Sequence, residues 1–76
     1  MLKVNRNIAL RNLARHYYPR QRIIVFTAKL TENKWRTYIY NAESKRLLRR
    51  GELCLSEKDA LDNLLTKMRT LAKVNL

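Results

Sequence analysis

The chain has 76 residues, enough for one small domain with a thin core. Its charge is the unusual property, because 17 Lys and Arg residues stand against 6 Asp and Glu residues, for a formal net charge of +11. The excess lies in the first two thirds, and residues 1–31 contain no acid. Such a balance predicts a polyanionic partner: nucleic acid, an acidic protein surface or anionic lipid.

The same composition excludes several classes of protein. Cys54 is the only cysteine and cannot form an internal disulfide, and together with the only histidine, His16, it cannot supply the four ligands of a structural zinc site. No apolar run approaches the ~20 residues of a membrane span, and the N-terminus lacks the apolar segment of a signal peptide. We therefore expect a cytoplasmic protein without cofactor, metal or membrane contact.

A first helix is predicted over residues 6–17. Its apolar residues recur at helical spacing and form one stripe: Leu10, Leu13, Ala14 and Tyr17. Asn5 or Asn7 is a suitable N-cap. Arg11 and Arg15 are four residues apart and share the opposite, solvent-exposed side, which gives the helix a basic surface.

The first strand is predicted over residues 22–31, where β-branched and aromatic residues dominate. Alternation assigns one set of side chains to the core: Ile24, Phe26, Ala28 and Leu30. The opposite set begins with Ile23 and Val25 and ends with polar residues, so we expect it on the exposed face. Turn-forming residues at 31–34 then reverse the chain.

The second strand, residues 34–41, has two sides of different character. One side carries Trp35, Thr37 and Ile39. The other side is basic and aromatic: Lys34, Arg36, Tyr38 and Tyr40. We expect Trp35 to lie in the core, packed against Leu64 or Met68 of the last helix.

The third strand is predicted over residues 46–55, with a bulge at Gly51 because the leucine alternation changes phase there. Ser56 is a natural N-cap for the C-terminal helix. The apolar stripe of that helix consists of Leu61, Leu64, Leu65, Met68, Leu71 and Ala72. The elements predict an α+β fold in the order α-β-β-β-α, a three-stranded antiparallel meander with the C-terminal helix packed on one face and the other face open.

The exposed side of the second strand predicts nucleic-acid binding. Cations bind phosphates without reading the sequence, and tyrosine or arginine side chains stack on bases or contact their edges. The third strand, its turn and the first helix add further arginines. The candidate nucleic-acid-binding residues are Lys34, Arg36, Tyr38, Tyr40, Arg46, Arg49, Arg50, Arg11 and Arg15. The alternative is a solvated face whose side chains only stabilise the strands through cross-strand pairs.

An enzymatic activity is not expected. His16 stands near the end of the first helix without a carboxylate beside it, which is typical of a solvated histidine. Cys54 lies in an apolar strand, which is typical of a buried structural thiol. A small RNA-binding protein or ribonuclease that uses His16 is the alternative.

Several segments resemble the DNA-binding modules built from a three-stranded sheet and a helix. These modules include the arm-binding domains of tyrosine integrases and the plant ethylene-response-type domains. The segments are KWRTYIY at residues 34–40, Lys45-Arg46, Gly51, and SEKDAL at residues 56–61. The resemblance implies that the sheet enters the major groove of DNA, with contacts from Arg36, Tyr38 and the third-strand arginines.

Double-stranded-RNA-binding domains share the order α-β-β-β-α, but the acidic start of the last helix at residues 56–59 does not suit duplex phosphates. We therefore predict a double-stranded DNA-binding accessory or regulatory protein, of the kind that a phage or mobile element encodes. The alternative is an inhibitor or adaptor that docks on an acidic host protein, which exposed Ile23, Val25 and Leu47 on the open face would favour. Oligomeric state and sequence specificity are left open.

Overall fold

The computed structural model describes the backbone of residues 5–74 and the side chains of residues 5–71. The elements in chain order are α1 (Arg6–Tyr17), β1 (Ile23–Thr31), β2 (Lys34–Asn41), β3 (Leu47–Arg50) and α2 (Glu57–Val74). The strands form one antiparallel sheet in the order β1-β2-β3, with β2 in the centre. This is the predicted α+β arrangement.

Helix α1 begins and packs as its sequence predicts. The Asn5 side chain is the N-cap and accepts hydrogen bonds from the backbone N–H groups of Asn7 and Ile8, at 3.0 and 3.2 Å. Leu10 and Ala14 are fully buried. The helix packs against α2 and β1, so it belongs to the layer that covers one face of the sheet.

Helix α2 lies across the central strand. The Ser56 hydroxyl accepts a hydrogen bond from the backbone N–H of Asp59 at 3.1 Å, which confirms the predicted cap. Buried Leu64, Leu65 and Met68 pack on β2 and β1. Ala72, which the sequence assigns to the same stripe, lies outside the side chains described.

The core joins both helices to one face of the sheet. Leu10, Leu64 and Met68 from the helices meet Val25 and Ile39 from the strands in a single cluster. Beside it, the fully buried hydroxyl of Thr37 lies 2.8 Å from the hydroxyl of Thr27, so this polar group is paired within the sheet.

The predicted core face of β1 is wrong. Ile24, Phe26 and Leu30 are 42 to 46% exposed, whereas Val25 is buried. The reason is an irregularity of the pairing between Lys29 and Thr31, which leaves Leu30 as an extra residue in β1. A shift of one residue exchanges the two faces of a strand, so Val25 rather than Phe26 lies opposite buried Ile39.

The prediction that Trp35 packs against Leu64 or Met68 is also wrong. Trp35 is half-buried and does not join the core cluster. It lies at the far end of β2, directly opposite Lys29, whose ammonium is 5.8 Å from the centre of the indole ring. Trp35 lies on the expected side of β2, the side of Thr37 and Ile39, but the core does not extend to this end of the sheet.

Strand β3 is shorter than residues 46–55, and its bulge is not at Gly51. The pairing with β2 shifts where Tyr40 faces Leu47 and Ile39 faces Arg49, so Leu48 is the extra residue and packs against the core. Gly51 still donates its N–H to the Thr37 carbonyl at 3.0 Å. The chain then contacts Asn63 of α2 and pairs with β2 again at the isolated pair Trp35–Cys54.

Candidate nucleic-acid interface

The helices cover the side of β2 that bears Thr37 and Ile39 and leave its other side uncovered. Cross-strand pairing arranges that uncovered side in rows. From the β2–β3 turn towards the β1–β2 turn, the rows are Ile24-Tyr40-Leu47, Phe26-Tyr38-Arg50, Ala28-Arg36 and Thr31-Lys34. We call this surface the open face. Apolar and aromatic residues occupy one end of it, and cations lie along one side and at the other end.

Three aromatic rings form a cluster in the open face. Phe26 lies directly opposite Tyr38, with ring centroids 5.3 Å apart, and Tyr40 lies 5.5 Å from Phe26 and 5.9 Å from Tyr38. The angles between the ring planes are 13 to 30°, so the rings are nearly parallel. Sequence reasoning missed Phe26 because it assigned that residue to the core.

Arg36 is the most distinctive cation of the open face. It is half-buried opposite the small side chain of Ala28, and its Nε is buried without a hydrogen-bond partner. No carboxylate among the described residues pairs with its guanidinium. An unpaired buried donor costs roughly 1–3 kcal/mol, so the fold leaves a polar group of Arg36 unsatisfied.

The charges of the two sides of the molecule differ. The three strands contain no Asp or Glu. The acidic side chains of α2 lie on the helical side, where Asp62 pairs with Arg6. Lys34 and Arg50 on the open face are exposed and have no ion-pair partner among the described residues. The open face therefore presents positive charge that no ion pair among the described residues neutralises.

The β2–β3 turn, residues 42–46, adds a further cation beside the aromatic rings. The Asn41 side-chain oxygen accepts hydrogen bonds from the N–H groups of Glu43 and Ser44, at 2.9 and 2.8 Å, and the Asn41 carbonyl accepts one from Lys45 at 2.9 Å. Lys45 itself has φ 63°, in the left-handed region that non-glycine residues seldom adopt. The turn places Lys45 and Tyr40 at one cavity of the open face, although Lys45 was not among the predicted binding residues.

Some of the candidate binding residues do not lie on the open face. Arg46 is exposed in the turn, and Arg49 lies opposite Ile39, on the side covered by the helices. Arg11 and Arg15 are exposed on α1, which belongs to the helical layer. The first helix therefore forms a separate basic surface and does not extend the open face.

The two residues considered for catalysis stand apart from this surface. His16 is exposed in the last turn of α1, and no described side chain hydrogen-bonds to it. Cys54 is half-buried rather than buried. Burial raises the pKa of the Cys54 thiol, and the carboxylates of Asp59 and Glu52 raise it further, so the nucleophilic thiolate is disfavoured.

Within the described part of the chain, no helix combines the length and apolar character needed to cross a membrane. Comparisons with models of protein families, with curated proteins and with solved structures find no match to this chain. The open face is therefore the feature of this chain that indicates a function.

Proposed function

We propose that this protein binds double-stranded DNA through the open face. The observation that carries the proposal is the combination of aromatic rings with cations on the open face of a sheet whose strands contain no Asp or Glu. Phosphate contacts supply affinity, and the planar side chains contact bases or sugars. A chain of this size and charge suits a cytoplasmic accessory or regulatory protein, of the kind that a phage or mobile element encodes.

The test compares two variants that lose the same charge at different places. Arg36→Gln combined with Arg50→Gln removes two cations from the open face. Lys58→Gln combined with Arg69→Gln removes two exposed cations from α2. We expect the first pair to lower the affinity for duplex DNA at least about tenfold. We also expect the slope of log affinity against log salt concentration to fall by about two, because binding with two fewer phosphate contacts releases fewer counterions.

The control pair on α2 should bind nearly as the parent protein does. Equal losses in both pairs would show that net charge alone attracts DNA and would contradict the proposed interface. Absence of any duplex binding by the parent protein at low salt would contradict the function. Circular dichroism of each variant distinguishes lost binding from unfolding.

A second candidate function is docking on an acidic protein. Exposed Ile24, Phe26 and Leu47 favour it, since neighbouring apolar side chains on a surface often mark a protein contact. Leu47 was expected on this face, whereas Ile24 and Phe26 take the place of Ile23 and Val25, which lie on the helix-covered side. Binding to an acidic protein but not to DNA, lost on Phe26→Ser, would favour this second function.

A further inference from the structure

A cavity opens in the open face beside the β2–β3 turn. It has a volume of about 250 Å³ and is lined by Ile24, Phe26, Tyr40, Asn41 and Lys45. Pockets for complete small ligands usually measure roughly 300–1,000 Å³. The cavity is therefore suited to one flat fragment of a larger molecule rather than to a whole ligand.

The lining of the cavity indicates the chemistry of that fragment. Phe26 and Tyr40 supply nearly parallel aromatic rings, 13° apart in orientation. The side-chain oxygen of Asn41 accepts hydrogen bonds from two backbone N–H groups of the turn, and its amide nitrogen donates one hydrogen bond to the Gln21 side chain at 3.0 Å. Lys45 contributes the positive charge and has no ion-pair partner among the described residues. A planar apolar group joined to an anion matches these walls.

We propose that this cavity receives one unpaired nucleobase while Lys45 binds the adjoining phosphate. The inference rests on the proposed DNA binding and specifies its preferred form, a duplex that contains a single-stranded gap. Bases within an intact duplex are stacked between their neighbours and must be extruded at a cost before they can enter such a cavity. Every base has a flat face that can stack on an aromatic ring, so the preference does not depend on which base occupies the cavity.

The experiment compares an intact duplex with the same duplex carrying a short single-stranded gap. We expect the gapped DNA to bind about tenfold tighter, in the range that stacking of one base on an aromatic side chain contributes. Tyr40→Leu should weaken the binding of both DNAs, but that of gapped DNA more, and so remove this preference. Tyr38→Leu is the matched control, because Tyr38 lies on the same face but does not line the cavity, and it should keep the preference.

A second measurement does not depend on a variant. A fluorescent adenine analogue in the gap should change its emission on binding, because the emission depends on stacking. Equal affinity for gapped and intact DNA, or equal loss of the preference in both tyrosine variants, overturns the inference and leaves the proposed function standing. If the protein binds neither DNA, the proposed function itself fails.

Discussion

Phe26 and Tyr38 face each other across β1 and β2 on the uncovered side of the sheet, with their ring centroids 5.3 Å apart. Each of these residues has a neighbour in its strand on the covered side, where Val25 lies opposite Ile39. A single strand thus contributes an apolar residue to the core and an aromatic residue to the candidate interface. The two roles can be separated by substitution.

Val25→Ala and Phe26→Ala are expected to have different consequences. Val25 is 6% exposed, so its truncation leaves a gap in the core and should cost about 2 kcal/mol of unfolding free energy. Phe26 is 43% exposed, and its truncation should cost about 1 kcal/mol through lost ring contacts, while it weakens DNA binding. Urea unfolding followed by Trp35 fluorescence measures the loss of stability in each variant. A larger loss of stability in Phe26→Ala than in Val25→Ala would show that Phe26 packs in the core.

The elements and their order follow from sequence patterns, but the two faces of β1 do not. Both sides of β1 are apolar near its start, so alternation alone cannot choose between them. The choice is made by pairing, and the extra residue Leu30 shifts that pairing by one. Without the shift, continuing the pair Thr31–Lys34 would bring Phe26 opposite Ile39. Local propensity does not indicate such a bulge.

The candidate site was predictable to the extent that it depends on β2. The two faces of β2 differ clearly in polarity, so the placement of Arg36 and Tyr38 follows from alternation. The inclusion of Phe26 and the turn geometry at Lys45 depend on tertiary pairing. The exclusion of Arg49 likewise depends on the bulge in β3, where two successive residues occupy the covered side.

Gly51 is required for the close approach of the chain to α2. A Cβ atom there would lie 2.7 Å from the Asn63 side-chain oxygen and 3.4 Å from Leu64 Cβ. The Asn63 oxygen is held in place, because it accepts a hydrogen bond from the Glu52 N–H at 2.8 Å. Gly51→Ala should therefore destabilise the fold by about 1–3 kcal/mol.

The control for this prediction is Gly51→Ala in a protein whose Asn63 side chain has been truncated to alanine. In an Asn63→Ala background, the extra methyl group of Gly51→Ala should cost measurably less, because its closest contact is gone. The difference is read from a double-mutant cycle of urea unfolding. Strictly additive effects would mean that the Asn63 side chain moves aside freely in the parent protein.

Cys54 should make the stability fall at alkaline pH. Because burial and the carboxylates of Asp59 and Glu52 raise its pKa in the folded protein, the unfolded chain loses this proton first as the pH rises. Below about pH 8.5, the ordinary cysteine pKa, the thiol is protonated in both the folded and the unfolded chain and does not make the stability depend on pH. Above that pH the free energy of unfolding falls. Cys54→Ser should flatten the decline between pH 8 and pH 10. Parallel stability curves for the two proteins would show that the folded thiol titrates normally.

Lys45 is expected to lower the stability of the fold while it strengthens the binding of DNA. Its φ of 63° is unfavourable for a side chain with a Cβ, and glycine adopts it without that penalty. Lys45→Gly should raise the unfolding free energy by roughly 0.5–1 kcal/mol. The same change removes the ammonium beside the cavity and should weaken binding of gapped DNA. Ser44→Gly is the matched control, because Ser44 has no positive φ and its hydroxyl accepts a hydrogen bond from the Arg46 N–H, so glycine should destabilise the turn there. A Lys45→Gly protein that binds as tightly as the parent would exclude this lysine from the interface, whatever its stability.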